Sequence, residues 1–529
     1  MGLFHASVSS SGQSRNAKLP LSAVAFLVLT VTISLFWSHY KLLWNDELSV
    51  LQTDSVSSLA QLVHIQRTCP LSFDPIAYHV LAWLAIRLFG AGAFAIRLPA
   101  LLGFLLMQIC LFFFVRQVAS ERAAVFALAY PALGGALYYS AEGRPYGLLL
   151  GFCALAMVSW QTATRSESKR TLALVTLALS TALALNTHYY GVLLLVPLCG
   201  AEMFRTFQRR RLDFPVIAAI GAGMAWIVFT LPFMKAAREF SLHYSGTGLF
   251  SLGLIPLAYR TFLADYPHAY STFDSMSIRH ALVVSFVLLI VLGLWGCIRQ
   301  PRNLPLLPKA EAVFLILLAA LPLFGYLLAR FVTHTVDPRY VIPAFVGVTS
   351  LLAILLSPLF RHNRAGKLAL VALFLAIAFV GFFRIYAQRI SMKETMSALV
   401  LTPEAKAALL ASPSGLLYLQ DMGGFESASY YEPDAEVRSR LALVYSANQE
   451  MLWSHHDNDA RLAMHLHNFT RLTVVPYESI ATQPGDHIFV DYKGAPWDWA
   501  DQSFSAAHAN VRPLGHAFGG DLMSVRFLP

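Results

Sequence analysis

Apolar runs of about twenty residues recur along the chain, separated by short polar pieces. A bilayer core about 30 Å thick takes roughly 20 residues at 1.5 Å each. Runs of that length predict spans at 20–42, 94–115, 123–140, 145–163, 171–188, 190–204, 214–234, 280–298, 311–331, 340–359 and 368–386, about eleven helices. Strict alternation over segments of about ten residues, the mark of a transmembrane barrel, is not seen. The first run, Leu19 to Leu43, is too long for a signal-peptide core and lacks a small-residue cleavage site followed by a soluble chain, so it reads as a retained helix.

Three segments between or after the runs are too long to be mere connections: 44–93, 235–279 and 388–529. In the first, Pro75 to Gly90 has a helical period interrupted by Tyr78, His79 and Arg87 and ended by glycine. It predicts a helix lying on the membrane surface, with a short extra span as the alternative. The last segment alternates short apolar runs (Leu416–Leu419, Leu472–Val475, His487–Val490, Leu522–Phe527) with polar helical pieces such as His456–His467. That is the pattern of a small α/β domain. The expected architecture is an all-α polytopic membrane domain over 20–387, preceded by a cytoplasmic tail over 1–19 and followed by an extracytoplasmic α/β domain over 388–529.

Composition fits: 57% of the 529 residues are hydrophobic and 13% are charged, against about 25% charged in a soluble domain. The net charge of +9 is not a nucleic-acid signal, because the basic residues cluster between apolar runs. With Arg15 and Lys18 on the cytoplasmic side, the same side receives Arg116/Arg122, Arg165/Lys169/Arg170, Arg205/Arg209/Arg210/Arg211, Arg299/Arg302/Lys309 and Arg361/Arg364/Lys367. Loops 44–93 and 235–279 and the C-terminal segment then face outward. Of five cysteines, only Cys69 falls in an aqueous loop, and neither a disulfide framework nor a metal-type spacing emerges.

Polar residues at the outer ends of the spans carry the candidate chemistry. Asn45-Asp46-Glu47 follows the first span, and two adjacent acids there read either as a solvated helix cap or as a general base, Asp46, with Glu47 shaping its environment. Tyr138 to Tyr146 turns one span into the next and contains Glu142 and Arg144. These are a structural ion pair, or else Arg144 grips a phosphate while Glu142 faces the acceptor or an ion. Asn186-Thr187-His188-Tyr189-Tyr190 and His334 to Tyr340 complete the set. Arg339 opens a span on the side where positive charge is disfavoured, which an anion explains, as does snorkelling to lipid headgroups. His188 and His334 read as packing residues before metal ligands. Asn468-Phe469-Thr470 fits a glycosylation sequon, and Trp497 and Trp499 beside Asp498 could stack on sugar rings or pack in a core.

"LLWNDELS", "DPIAYHVLAWLAIRLFG" with "AFAIRLPALLGFL", "YYSAEGRPYGLLL", "NTHYYGVLLL" and "DPRYVIPA" resemble, in order, motifs of bacterial GT-C glycosyltransferases akin to protein O-mannosyltransferases and lipid A aminoarabinose transferases. The resemblance covers about residues 20–360 and implies transfer of a sugar from a polyprenyl-phosphate donor to a glycan, lipid or protein hydroxyl outside the cytoplasm, with inversion, in a bacterial inner membrane. It implies Asp46 as base, Glu47 as its acidic neighbour, Glu142 beside the same cavity, and Arg144, Arg339 and Tyr340 at the donor phosphate. Tyr78, His79, Tyr139, Tyr146, His188, Tyr189 and His334 are expected to line the substrate cavity. No obligatory metal is expected, since no nucleotide diphosphate leaves, although some relatives use a divalent cation and Glu142 leaves a place for one. The tail matches no family motif. A transporter or flippase of a lipid-linked sugar is the competing reading and would show paired broken helices in two corresponding halves, which the sequence lacks. A non-catalytic membrane scaffold is a third.

Overall fold

The computed structural model describes residues 18–243, 251–264, 276–301, 305, 307–361, 363–411, 415–493 and 498–528. Trp497, Arg15, Arg302, most of the N-terminal tail and parts of the 235–279 loop lie outside the described residues.

Every apolar run folds as helix, but not every one as a single span. Among the described residues seven helices are long and apolar enough to cross a membrane, or up to nine if each of two bent pairs is one span. The difference from eleven lies in 123–140 and 340–359. The first is the Glu121–Ala129 helix followed by short 3₁₀ turns at Tyr130–Ala132 and Gly135–Ser140, because Pro131 lacks a backbone donor and glycines follow it. The second yields Ala344–Phe360, of 17 residues. The bent pairs, Phe214–Phe229 with Leu231–Glu239 and Lys309–Ala319 with Leu321–Thr333, turn by 55° and 52°, each with a proline, Pro232 or Pro322, at the break. The chain is a multi-pass membrane protein: the Met276–Arg299 helix bares Val284, Val287, Leu288, Val291, Leu292 and Trp295, an apolar stripe suited to lipid tails rather than water.

Small residues bring together the two helices that frame the site. Ala93–Arg116 crosses Tyr146–Arg165 so closely that a Cβ on Gly103 would stand 2.4 Å from the Gly147 carbonyl oxygen. At the far end of the bundle the basic clusters do more than mark topology. Arg165 pairs with Glu311 at 2.5 Å, and Arg170 and Arg205 share Asp213 at 2.5 Å each.

Segment 44–93 forms three helices, Asn45–Asp54, Leu59–Thr68 and Ile76–Phe89, the last begun at Pro75 and ended by Gly90 at φ 87°. The C-terminal unit holds a six-stranded sheet of β1 (Leu417–Leu419), β2 (Leu441–Tyr445), β3 (Thr473–Pro476), β4 (Asp486–Asp491), β5 (Asn510–Ala517) and β6 (Gly520–Arg526), in the order β3-β2-β1-β4-β6-β5. The first four are parallel; β6 runs antiparallel to β4 and to β5. β1, β2 and β4 are nearly all buried, as strands covered by helices on both faces must be.

Candidate active site

Helix ends at one end of the bundle build the site. Asp46 and Glu47 lie in the first turn of the Asn45–Asp54 helix. Successive residues of a helix point about 100° apart, and these two carboxylates meet different surroundings. Glu47 is 0% exposed. It accepts from Arg97 Nε at Oε1 (2.7 Å), Arg97 Nη2 at Oε2 (2.6 Å), the Gly143 backbone N–H at Oε1 (2.6 Å) and Lys41 Nζ at Oε2 (3.2 Å). Burial raises its pKa, but Arg97, Lys41 and these hydrogen bonds prevail and hold it at about 2. Arg97 also donates to the Ser38 and Lys41 carbonyls (2.7 and 2.8 Å), so Glu47 locks the end of the first span, the outer segment and the Glu142 turn together. Lys41 is shifted down, burial outweighing the pull of Glu47.

Asp46 is 28% exposed and faces two guanidiniums at ion-pair distance: Arg144 Nη2 at 3.6 Å and Arg339 Nη1 at 3.8 Å from Oδ2. Arg144 is not paired with Glu142 as a simple hairpin ion pair would be. Its Nη2 lies 3.1 Å from Asp74 Oδ2 and its Nη1 donates to Ser72 Oγ at 3.1 Å. Burial would raise Asp74, yet Arg144 keeps it below the usual carboxylate range. Arg339 lies over the rings of Trp44 and Tyr146, 5.6 Å from each centroid, an arrangement that suits a flat cation.

Glu142 is buried, and burial raises it to about 7 despite Lys41, Arg339 and Arg144. Tyr146, His188, Tyr190 and Tyr340 form an aromatic wall, with centroids of His188 and Tyr340 5.0 Å apart and of Tyr190 and Tyr340 5.1 Å apart. His188 Nδ1 accepts from the Tyr190 backbone N–H at 3.1 Å, and burial lowers its pKa to about 4. It is therefore neutral, with its remaining proton on Nε2. Burial raises Tyr340 to about 12. Among the described residues, Trp44 Nε1, Glu142 Oε2, Arg144 Nε, Tyr146 OH and Tyr189 OH are buried with no protein group in hydrogen-bond reach. Each such atom costs about 1–3 kcal/mol unless water or a ligand satisfies it.

The remaining sequence candidates sort differently. Tyr139 is buried against Tyr146, centroids 5.3 Å apart. Tyr78 is fully buried, in the core with Ile96 and Leu148. His79 is also fully buried, its Nδ1 2.8 Å from Asp54 Oδ1. His334 is exposed on a left-handed bend, φ 53°. Sequence reasoning missed Lys41, Ser72, Asp74 and Arg97. Arg97 carried the signal that exposed Arg339, a cation at the outward end of a span.

Residues 74–234 match the family model described as dolichyl-phosphate-mannose-protein mannosyltransferase. The match opens at Asp74 and includes Glu142, Arg144, Tyr146 and His188. ArnT from Cupriavidus metallidurans, solved bound to undecaprenyl phosphate, superposes with a TM-score of 0.54 at 12% identity, covering 95% of this chain and 97% of that one. The fold is that of a GT-C membrane glycosyltransferase. The apo form of ArnT gives a TM-score of 0.53 at 13% identity over 95% of this chain and 98% of that one. The archaeal oligosaccharyltransferase AglB from Archaeoglobus fulgidus gives 0.42 at 12% identity over 95% and 74%. No curated protein matches the sequence. The family match and the GT-C fold together indicate a glycosyltransferase.

Proposed function

We propose that the protein transfers a sugar from a polyprenyl-phosphate donor to a hydroxyl acceptor, a glycan, lipid or protein, at the extracytoplasmic face of a bacterial inner membrane, with inversion and with Asp46 as general base. The observation that carries this reading is the convergence of Arg144 and Arg339 on Asp46, in a fold shared with an enzyme captured with undecaprenyl phosphate. The acceptor O–H attacks the anomeric carbon and its proton passes to Asp46. The bond from that carbon to the phosphate oxygen breaks, and the electron pair leaves on polyprenyl phosphate. Such a reaction wants one carboxylate at the acceptor and fixed cations at the phosphate, where charge develops.

The two arginines are suited to that second task. Guanidinium matches phosphate oxygens two at a time, and a charge pair at about 4 Å is worth about 4 kcal/mol at the effective dielectric of a partly buried site. The donor phosphate and the Asp46 carboxylate compete for the same two cations, so donor binding releases Asp46 toward the acceptor. Glu142, buried and holding an Oε2 that no described residue satisfies, faces the positive charge that builds on the sugar ring in the transition state. Tyr340 and His188 wall the sugar, and no obligatory metal is needed for a phosphate monoester to leave.

The test is reconstituted protein supplied with a polyprenyl-phosphate sugar and candidate acceptors. Release of free polyprenyl phosphate in step with an acceptor glycoside of inverted anomeric configuration supports the reading. Movement of the donor between leaflets with its sugar–phosphate bond intact would replace it with transport.

A further inference from the structure

We propose that the C-terminal unit is a working part of this site: its Met422–Tyr431 helix clamps the backbone on both sides of Asp46, with Tyr431 and Glu426 as positioning residues. The inference rests on the reading of Asp46 as the base. Three residues before Asp46, the Leu43 backbone N–H donates to the Tyr431 hydroxyl at 2.5 Å. Three residues after it, the Ser49 hydroxyl donates to the Glu426 carboxyl, 3.1 Å from each oxygen. Between these two fastenings the helices nearly touch: a Cβ on Gly423 would stand 3.1 Å from the Asn45 Cβ.

The clamp is itself held by the sheet. The Met422–Tyr431 helix starts directly after β1 and is capped by Asp421, which accepts from the Gly424 N–H at 2.5 Å. Tyr492, just past β4, presses on the same turn, since a Cβ on Gly424 would fall 1.9 Å from its hydroxyl oxygen, and that hydroxyl donates to the Phe518 carbonyl at 3.1 Å. The helix therefore has little freedom to slide unless the sheet moves with it. A second tie runs to the phosphate side. Leu71 is buried in the apolar core of the C-terminal unit with Leu419 and Phe425, and His465 Nδ1 lies 2.8 Å from the Pro70 carbonyl. One and three residues after Leu71, Ser72 and Asp74 hold Arg144. Both the base and one of its two cations are thus fixed from outside the membrane bundle.

Charge at the clamp is arranged to spare Asp46. Glu426 is fully buried and sits well above the usual carboxylate range, chiefly through burial, with the Asp46 and Asp421 charges adding to it. A neutral carboxyl there accepts the Ser49 hydrogen bond without setting a second negative charge beside the base. A shift of about 1 Å in a reacting group costs about a hundredfold in rate, so fastening the turn that carries Asp46 has a direct use.

Tyr431→Phe and Glu426→Ala, made in the full-length protein, test the clamp by two readouts. In detergent without substrate, amide hydrogen exchange over residues 43–54 should rise about tenfold in each variant, with exchange in the Tyr146–Arg165 helix unchanged. In transfer assays kcat should fall about tenfold with the donor KM unchanged. Glu426→Gln, which keeps a neutral acceptor for Ser49, should restore wild-type values in both. Unchanged exchange over 43–54 overturns the clamp whether or not the protein transfers sugar, as does a rise spread evenly over the whole chain. Raised exchange confined to 43–54 in a protein that transfers nothing upholds the clamp and removes the transfer reading instead.

Discussion

Glu47→Gln is the sharpest perturbation of the scaffold that holds Asp46. The glutamine side chain has the same size but offers one acceptor oxygen in place of two, and turns an NH₂ group toward the Arg97 and Lys41 donors that the carboxylate now satisfies. Both cations are buried and would be left without their counter-charge. Removing one partner of a buried ion pair costs about 3–5 kcal/mol. The carboxyl pKa leads to a similar figure: held at about 2 instead of 4.5, it contributes about 3 kcal/mol of stability in its ionised form. The direction follows from the sign of the shift. A carboxyl lowered in the folded state stabilises fully above about 4.5, and the contribution drains away as pH falls to about 2. Thermal unfolding of wild type and Glu47→Gln in detergent, followed by tryptophan fluorescence at a series of pH values, should show the variant several degrees less stable at neutral pH. The gap should narrow steadily in acid. Equal midpoints at neutral pH, or a gap unaffected by acid, would refute the reasoning.

Arg339→Lys keeps the charge but loses the flat fork and its seat over Trp44 and Tyr146, so steady-state kinetics should show kcat/KM for the donor lower by about a hundredfold. Glu142, raised to about 7 by burial, is expected to act ionised: transfer rises with pH through about 7, and Glu142→Gln abolishes that limb. Its effect on stability has the opposite sign to that of Glu47, being lost as pH climbs from 4.5 through about 7, so Glu142→Gln should unfold at a higher temperature than wild type at alkaline pH and at the same temperature near pH 4 (about 3 kcal/mol at most). In Gly143→Ala the new Cβ would stand 2.8 Å from Ile96 Cδ1 and 3.2 Å from Glu47 Oε1, and the variant should lose about 1–3 kcal/mol in the same unfolding assay.

The helices were legible because burial in lipid demands long apolar runs, and the reading of 145–163 and 171–188 falls within two residues of Tyr146–Arg165 and Arg170–Thr187. Periodicity could not foretell the breaks, since a run bent at Pro322 is as apolar as a straight one. At the site, Asp46, Arg144 and Arg339 were visible as charges at helix ends beside a membrane, where each needs a reason to be. Their partners were not. Arg97 stands near the end of a span as Arg339 does, but nothing local links it to Glu47 fifty residues away, and Asp74 reads locally as a residue before a proline. Tyr431 and Glu426 were further out of reach, in a segment without a family motif, and only the folded chain brings them to Leu43 and Ser49. His79 shows how a partner can hide: the sequence marks it as a polar break in a helix, and only the folded chain brings its Nδ1 2.8 Å from Asp54, with both side chains fully buried.

The central claim is that Asp46 takes the acceptor proton. Asp46→Asn keeps the shape of the side chain and removes its basicity, so the decisive measurement is transfer from a radiolabelled pool of polyprenyl-phosphate sugars by membranes carrying equal amounts of wild-type or variant protein. Transfer by wild type that is lost in Asp46→Asn is the predicted result; equal transfer by both would contradict it and take Asp46 out of the mechanism.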